Sequence, residues 1–193
     1  MTKTAPEEEF PLYGGRACLN LVASHGKRHA TPIERLPDPA AVARFLVAAG
    51  LVPARPAFSV TTRQRARLVE LREAVYRLVN AARADRPLPA ADRELLNRAA
   101  LGAGFAPQLT GTRAGTGVSW TARHPVDAAI AELARDAVDL LGGEKVARIK
   151  ECAHPDCSRL FLDESQAGRR RWCSMEKCGN LAKIAGYRGR ARG

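Results

Sequence analysis

The stretch CAHPDCSRLFLDESQAGRRRWCSMEKC, residues 152–178, decides how the last third of the chain folds. Its cysteines run Cys152-x4-Cys157, then fifteen intervening residues, then Cys173-x4-Cys178. Two equally spaced pairs, each offering two thiolates from one turn and joined by a short loop, are what a tetrahedral four-thiolate zinc site requires. Four protein ligands leave no coordination position open, so one Zn2+ held here is structural and activates no water. The segment has few apolar residues of its own (Leu160, Phe161, Leu162, Trp172, Ile184), and zinc would contribute the folding free energy that so small a core lacks. Four free thiols in an ordinary core are the competing reading, disfavoured by the regular pairing and polar surroundings. An iron–sulfur cluster is disfavoured by the equal pairs and the basic flanks. His154 stands between the first two cysteines and competes as a ligand, although four thiolates already complete the shell.

Charge points the same segment toward a polyanion. The chain of 193 residues has a formal net charge of +11, and residues 145–193 hold 12 Lys and Arg against 5 Asp and Glu. A zinc ion with four thiolates carries a local charge of about −2, which leaves the module basic. Such an excess suits nucleic acid first and an anionic membrane surface second, against the plainer reading of solvated surface arginines. Between the cysteine pairs lies Arg169-Arg170-Arg171-Trp172, and after them come Lys177, Lys183, Arg188 and Arg190. Arginines on a zinc-braced loop suit phosphate contacts first and base edges second. Trp172 more often packs over the metal knuckles than stacks on a base.

The first three quarters read as helical. Aromatics are 5% and hydrophobic residues 46% of the chain, with Ala, Leu, Arg and Val recurring throughout. Asp38 with Pro39 predicts a capped helix through Val42, Phe45 and Leu46 to Gly50. The clearest helix starts near Thr61, with Leu68, Leu71, Val75, Leu78, Val79 and Ala82 on one apolar face and Arg63, Arg65, Arg67, Arg72 and Arg77 on its other sides. Pro87 and Pro89 end it, and a shorter helix follows over about 90–100. Phe105 to Leu109 and Val118 to Ala122 flank the Gly/Thr-rich TGTRAGTG and read as a hairpin. A further helix spans about 125–141, with Ile130, Leu133, Ala137, Val138 and Leu141 inward, until Gly142-Gly143 stops it. Residues 10–24 suggest a short strand or hairpin, and Lys145 to Lys150 a strand. The fold class is α+β, mainly α-helical over residues 1–145 with short strands and hairpins, followed by a small four-cysteine zinc-finger module over 146–193.

Met1 to Phe10 is polar and acidic, lacking a signal peptide's basic and apolar regions, and the apolar runs are too short to span a membrane. The expectation is a cytoplasmic protein whose thiols stay reduced. Cys18 sits in an apolar run and reads as core. A pairing of Cys18 with His25 or His29 as a catalytic couple lacks a third group to orient it. With no phosphate-cradling Gly loop, His-Glu zinc motif or serine elbow, no enzyme is expected.

The segment CSRLFLDESQAGRRRWCSMEKCGNLAK, residues 157–183, resembles the CGNR zinc finger, with its Phe-Leu-Asp segment, Arg-Arg-Trp-Cys approach and closing Cys-Gly-Asn-Arg-x-Lys. The residues before it are similar to the ABATE domain through GGRACLNLV (14–22), LVELREAVYRLVNA (68–81) and Ala137 to Leu141. The resemblance implies a bacterial, stress-linked transcriptional regulator whose finger binds DNA. Two positions depart from the pattern. Leu181 stands where the finger's closing arginine belongs, and Leu19-Asn20-Leu21-Val22-Ala23 replaces Leu-Asp-Phe-Val-Asn.

The leading functional expectation is a regulator that docks on duplex DNA through Arg169, Arg170, Arg171, Lys177, Lys183, Arg188 and Arg190. Its helical domain would sense a ligand or pair two chains. One finger with few contacts binds weakly alone, so a homodimer or a second contact surface is expected. The same module would serve equally as an RNA contact or as an adaptor for an acidic protein partner.

Overall fold

Thr61 sets the start of the longest helix. In the computed structural model, which describes residues 9–54, 57–112 and 115–184, its hydroxyl accepts from the Gln64 amide at 3.1 Å and the Gln64 side chain accepts from the Thr61 amide at 3.0 Å. This reciprocal pair satisfies two otherwise orphaned donors. The helix α3 that follows runs Thr62–Arg83. Leu68, Leu71, Val75, Leu78 and Val79 are buried as their spacing predicts, with Ala81 in place of Ala82 at the end of the stripe. Before it, Asp38 accepts from the Ala41 amide at 2.7 Å and Pro39 opens α2, Pro39–Ala48.

Three elements close around α3. Helix α4 (Ala90–Ala100) and helix α5 (Pro125–Gly142) pack on it and on each other. On α5, Ile130, Leu133 and Ala137 face inward as predicted, but Leu140 continues the stripe. Val138 is exposed and Leu141 only partly buried, because the steps from 133 to 137 to 140 keep one helical face and 138 turns off it. The third element corrects the expected strand over 10–24. Ala17–Ala23 is a short helix, α1, which buries Cys18, Leu19, Leu21 and Val22 against α3 and α5. Their positions at i, i+1, i+3 and i+4 share a helical face, and the helix satisfies its backbone internally while that face is buried.

The strands are short and antiparallel. β1 (His25–Gly26) pairs with β2 (Ile33–Glu34), and β3 (Ala106–Thr112) pairs with β4 (Gly115–Thr121) in the predicted hairpin. That hairpin leaves Leu109, Val118 and Trp120 exposed. Residues 144–148 form a turn of 3-10 helix instead of the expected strand, and only β5 (Ile149–Glu151) is extended, paired with β6 (Leu160–Leu162).

Arg72, read as lying off the apolar face, is buried instead, only 2% exposed. Its guanidinium forks onto Glu34 at 2.7 and 2.6 Å, reaches Glu73 Oε1 at 2.8 Å and donates to the Ser24 hydroxyl at 3.2 Å. Arg28 grips Glu73 from the other side at 2.7 and 3.1 Å and lies 4.0 Å over the Tyr76 ring. Burial opposes the Glu73 charge, but hydrogen bonds from Arg28 and then Arg72 outweigh it and hold the carboxyl at about 2. A carboxyl depressed in the folded state stabilises fully above its unfolded value near 4.5, and loses that contribution as pH falls toward 2. Glu73→Gln is therefore expected to unfold at lower urea than the parent at pH 7, by at most about 3 kcal/mol. The gap should close between pH 4.5 and 2; a gap constant across that window would show that the charge contributes nothing.

Candidate metal centre and basic face

Strand β6 joins the two parts of the molecule. Alternate side chains on a strand point to opposite faces. Leu160 and Leu162 enter the core of the helical body, together with Ile149 from β5, while Phe161 turns to the cysteines with Trp172 beside it. The Gly14-Gly15 turn presses on the same strand: the Leu162 amide donates to Gly14 O at 2.8 Å, and a Cβ on Gly15, whose φ is +80°, would stand 3.2 Å from Leu162 Cβ. The zinc segment thus takes much of its apolar support from the body. Side chains add to this seam, with Arg28 N donating to Ser158 Oγ at 2.8 Å and both His29 and Arg83 bound to Glu151 at 3.0 and 3.1 Å.

Beyond the seam the four sulfurs converge. Cys152, Cys157, Cys173 and Cys178 place their Sγ atoms within 4.8 Å of one another. Cys173 lies 3.8 Å from Cys157 and 3.7 Å from Cys178, sulfur to sulfur. A tetrahedron with Zn–S bonds near 2.3 Å has sulfur–sulfur edges of about 3.8 Å, so these separations fit zinc, and they are far too long for a disulfide. Crowding drives the ionisations apart: hydrogen bonds, first from Cys157, pull the Cys152 thiol down, while Cys152 pushes Cys157 and Cys178 up. A bound dication is what lets all four carry charge together. The Cys173 amide donates to Cys152 Sγ at 3.4 Å and Arg159 approaches Cys173 Sγ at 4.0 Å, second contacts that orient the thiolates. The set fits one structural Zn2+, and its closed shell holds loops together.

His154 lies outside the four-sulfur group and accepts from the Asp156 amide at 3.2 Å. Cys18 is sealed in the core, its thiol pushed up by burial and then by the Asp136 charge. His25 belongs to the Arg72 network, with Nδ1 3.5 Å from Glu73 Oε1. Among the described residues, no hydrogen bond links Cys18 to His25.

The loop between the cysteine pairs is organised by Asp163, a fully buried carboxylate. It receives Lys150 Nζ at 2.7 Å, the Arg170 amide at 2.8 Å and the Ser165 hydroxyl at 2.5 Å; the Lys150 contact leads in holding it below the ordinary carboxylate range. Sequence reasoning missed this role, although Asp163 sits in the quoted Phe-Leu-Asp segment. The basic run then divides. Arg170 turns inward, donating to the carbonyls of Trp172 and Cys173 at 3.2 and 2.5 Å and lying 4.8 Å over Phe161. Arg169 is exposed, and exposed Arg171 lies 5.2 Å over Trp172, which is half-buried against the cluster. Lys177 is half-buried 5.5 Å over Tyr13, and Lys183 is exposed. Arg188 and Arg190 lie outside the described residues. Leu181 is 52% exposed at the rim of a small cavity of about 250 Å3 that it shares with Lys27, Arg35, His154 and Arg159. Asn20, in the second departing motif, accepts from the Gly14 amide at 2.8 Å and so shapes the turn under β6.

Fold and site together define a helical body fused to a closed four-thiolate zinc module. Among the described residues, no helix is long and apolar enough to cross a membrane. The ABATE family model, described as "Putative stress-induced transcription regulator", matches residues 15–144, and the CGNR zinc-finger model matches residues 148–191. The chain belongs to the ABATE family and carries a CGNR zinc finger after that domain. A search of curated proteins finds no match to the chain.

Proposed function

We propose that the protein is a transcription regulator that binds duplex DNA through the zinc module, residues 146–193, while the helical body, residues 1–145, senses a ligand or pairs two chains. The supporting observation is the groove of about 690 Å3 between the end of α3, the 3-10 turn and the basic loop, where Arg83, Lys150, Arg169, Arg170 and Arg171 outnumber the carboxylates Asp85 and Glu151. Arg83 and Lys150 are engaged by Glu151 and Asp163, and Arg170 braces the knuckle, so Arg169 and Arg171 are its outward cations. Lys177, Lys183 and the tail arginines Arg188 and Arg190 extend the positive charge in sequence. Arginine forks and lysine ammonium groups of this kind meet phosphate oxygens, which position a protein on DNA before any base is read.

The test is fluorescence anisotropy of the zinc-loaded protein on labelled duplex at several salt concentrations. The double variant Arg169→Ala/Arg171→Ala is expected to lose about tenfold or more in affinity and to flatten the salt slope by about 2. Arg170 is kept in that variant because its loss would disturb the zinc knuckle itself. Parent and variant binding alike, or not at all with zinc in place, would set the DNA reading aside. Preferential displacement by single-stranded RNA would move the module to an RNA partner.

A further inference from the structure

We infer that the helical body carries a binding site for a small aromatic anion, in the pocket beneath the β3–β4 hairpin. This supplies the sensing half of the reading above, and its test involves no DNA, so either can fail alone. The pocket of about 670 Å3 is bounded by the segment after α2, the base of the hairpin and the start of α5. That volume is within the range of ordinary small-molecule sites. Its walls are apolar and aromatic: Val52, Pro53, Phe58, Phe105 and Trp120, with Arg123 among them.

Three observations choose the ligand class. Trp120 is 60% exposed although it lines the concavity, so a planar apolar group laid on it would remove from water one of the largest exposed side chains of the body. Arg123 is exposed and forms no ion pair among the described residues. Glu132, the carboxylate beside Trp120 and Phe105 on the adjoining surface, is already taken by Arg135 at 2.7 Å. The guanidinium therefore favours a carboxylate or sulfonate over a neutral or cationic ligand. Next to Arg123, the 18-residue helix α5 begins at Pro125 with no side chain capping its first turn. The one acid of that turn, Asp127, is held by Gln64 at 2.7 Å and by Arg67. With that acid turned to Gln64 and Arg67, the start of α5, where Pro125 lines the pocket, is a further place where an anion is favoured.

The probes are 8-anilinonaphthalene-1-sulfonate and its uncharged counterpart N-phenyl-1-naphthylamine, whose emission rises on entering an apolar site. The native zinc-loaded protein is expected to bind the sulfonate more tightly than the amine, near one equivalent. Arg123→Gln should weaken the sulfonate about tenfold and leave the amine unchanged. Trp120→Ala should weaken both, with zinc content and melting temperature retained because both side chains lie at the surface. Equal loss of both probes in Arg123→Gln, or no loss in Trp120→Ala, would overturn the assignment. So would a dimer by sedimentation that Trp120→Ala dissociates while neither probe binds, since the pocket wall would then belong to a second copy of the chain.

Discussion

Cys173→Ser is expected to lower bound zinc from one equivalent to a small fraction of one, read by atomic emission on the purified protein. Cys173 is 1% exposed and its sulfur contacts those of both Cys157 and Cys178, so its removal opens the shell at its centre. Structural zinc in small modules contributes roughly 10–16 kcal/mol of apparent binding free energy at neutral pH, and three-ligand sites hold it far less tightly. The consequence should be graded along β6. Phe161, packed on the cluster, would lose its cover, whereas Leu160 and Leu162 remain part of the body's core. Far-ultraviolet circular dichroism should therefore retain most of the helical signal. The melting temperature should fall by roughly 5–10 °C, the equivalent of ~2–3 kcal/mol in a chain of this size. Zinc retained at one equivalent would show that another donor completes the shell, and His154 would be the first to examine.

Arg72→Ala should produce the second large effect, a loss of about 2–3 kcal/mol in urea unfolding at neutral pH, below the range for a fully buried pair because water reaches both carboxylates. The substitution removes a guanidinium that is itself 2% exposed, leaves the partly exposed Glu34 without its bidentate partner and leaves Glu73 with Arg28 alone. Lysine should rescue little, since an ammonium does not reproduce the fork onto Glu34 together with the contact to Glu73. Because Arg28 ties Glu73 to the seam through its backbone bond to Ser158, the variant should also expose the zinc module to faster proteolysis. A loss under about 1 kcal/mol would mean that water replaces the guanidinium and that the network adds little to the fold.

The features legible in the sequence are those whose physics is local. The spacing of two cysteine pairs carries the ligand count and the closed tetrahedral shell, because each pair comes from a single turn. The start near Thr61, and Asp38 with Pro39, are legible because helix starts depend only on neighbouring residues; the Gln64 partner of Thr61 emerges from the structure. The apolar stripes of α3 and α5 are readable to within a residue or so, and they depart at Ala82, Val138 and Leu141, which lie off the centre of the buried face.

Tertiary structure decided the rest, because it depended on contacts between distant parts of the chain. Arg72 resembles its solvated neighbours in sequence; its burial follows from Glu34 and Ser24, which β1, β2 and α1 bring against α3. Arg170 looks like Arg169 and Arg171, but carbonyl acceptors and the Phe161 face turn it inward. Residues 17–23 are apolar enough for either a strand or a helix, and packing between α3 and α5 favours the helix, whose backbone bonds lie within the segment. The sharing of β6 between the body and the zinc knuckle is likewise invisible in LFL alone. Alternating side chains serve two cores only once another element stands on each face, and that is settled by packing.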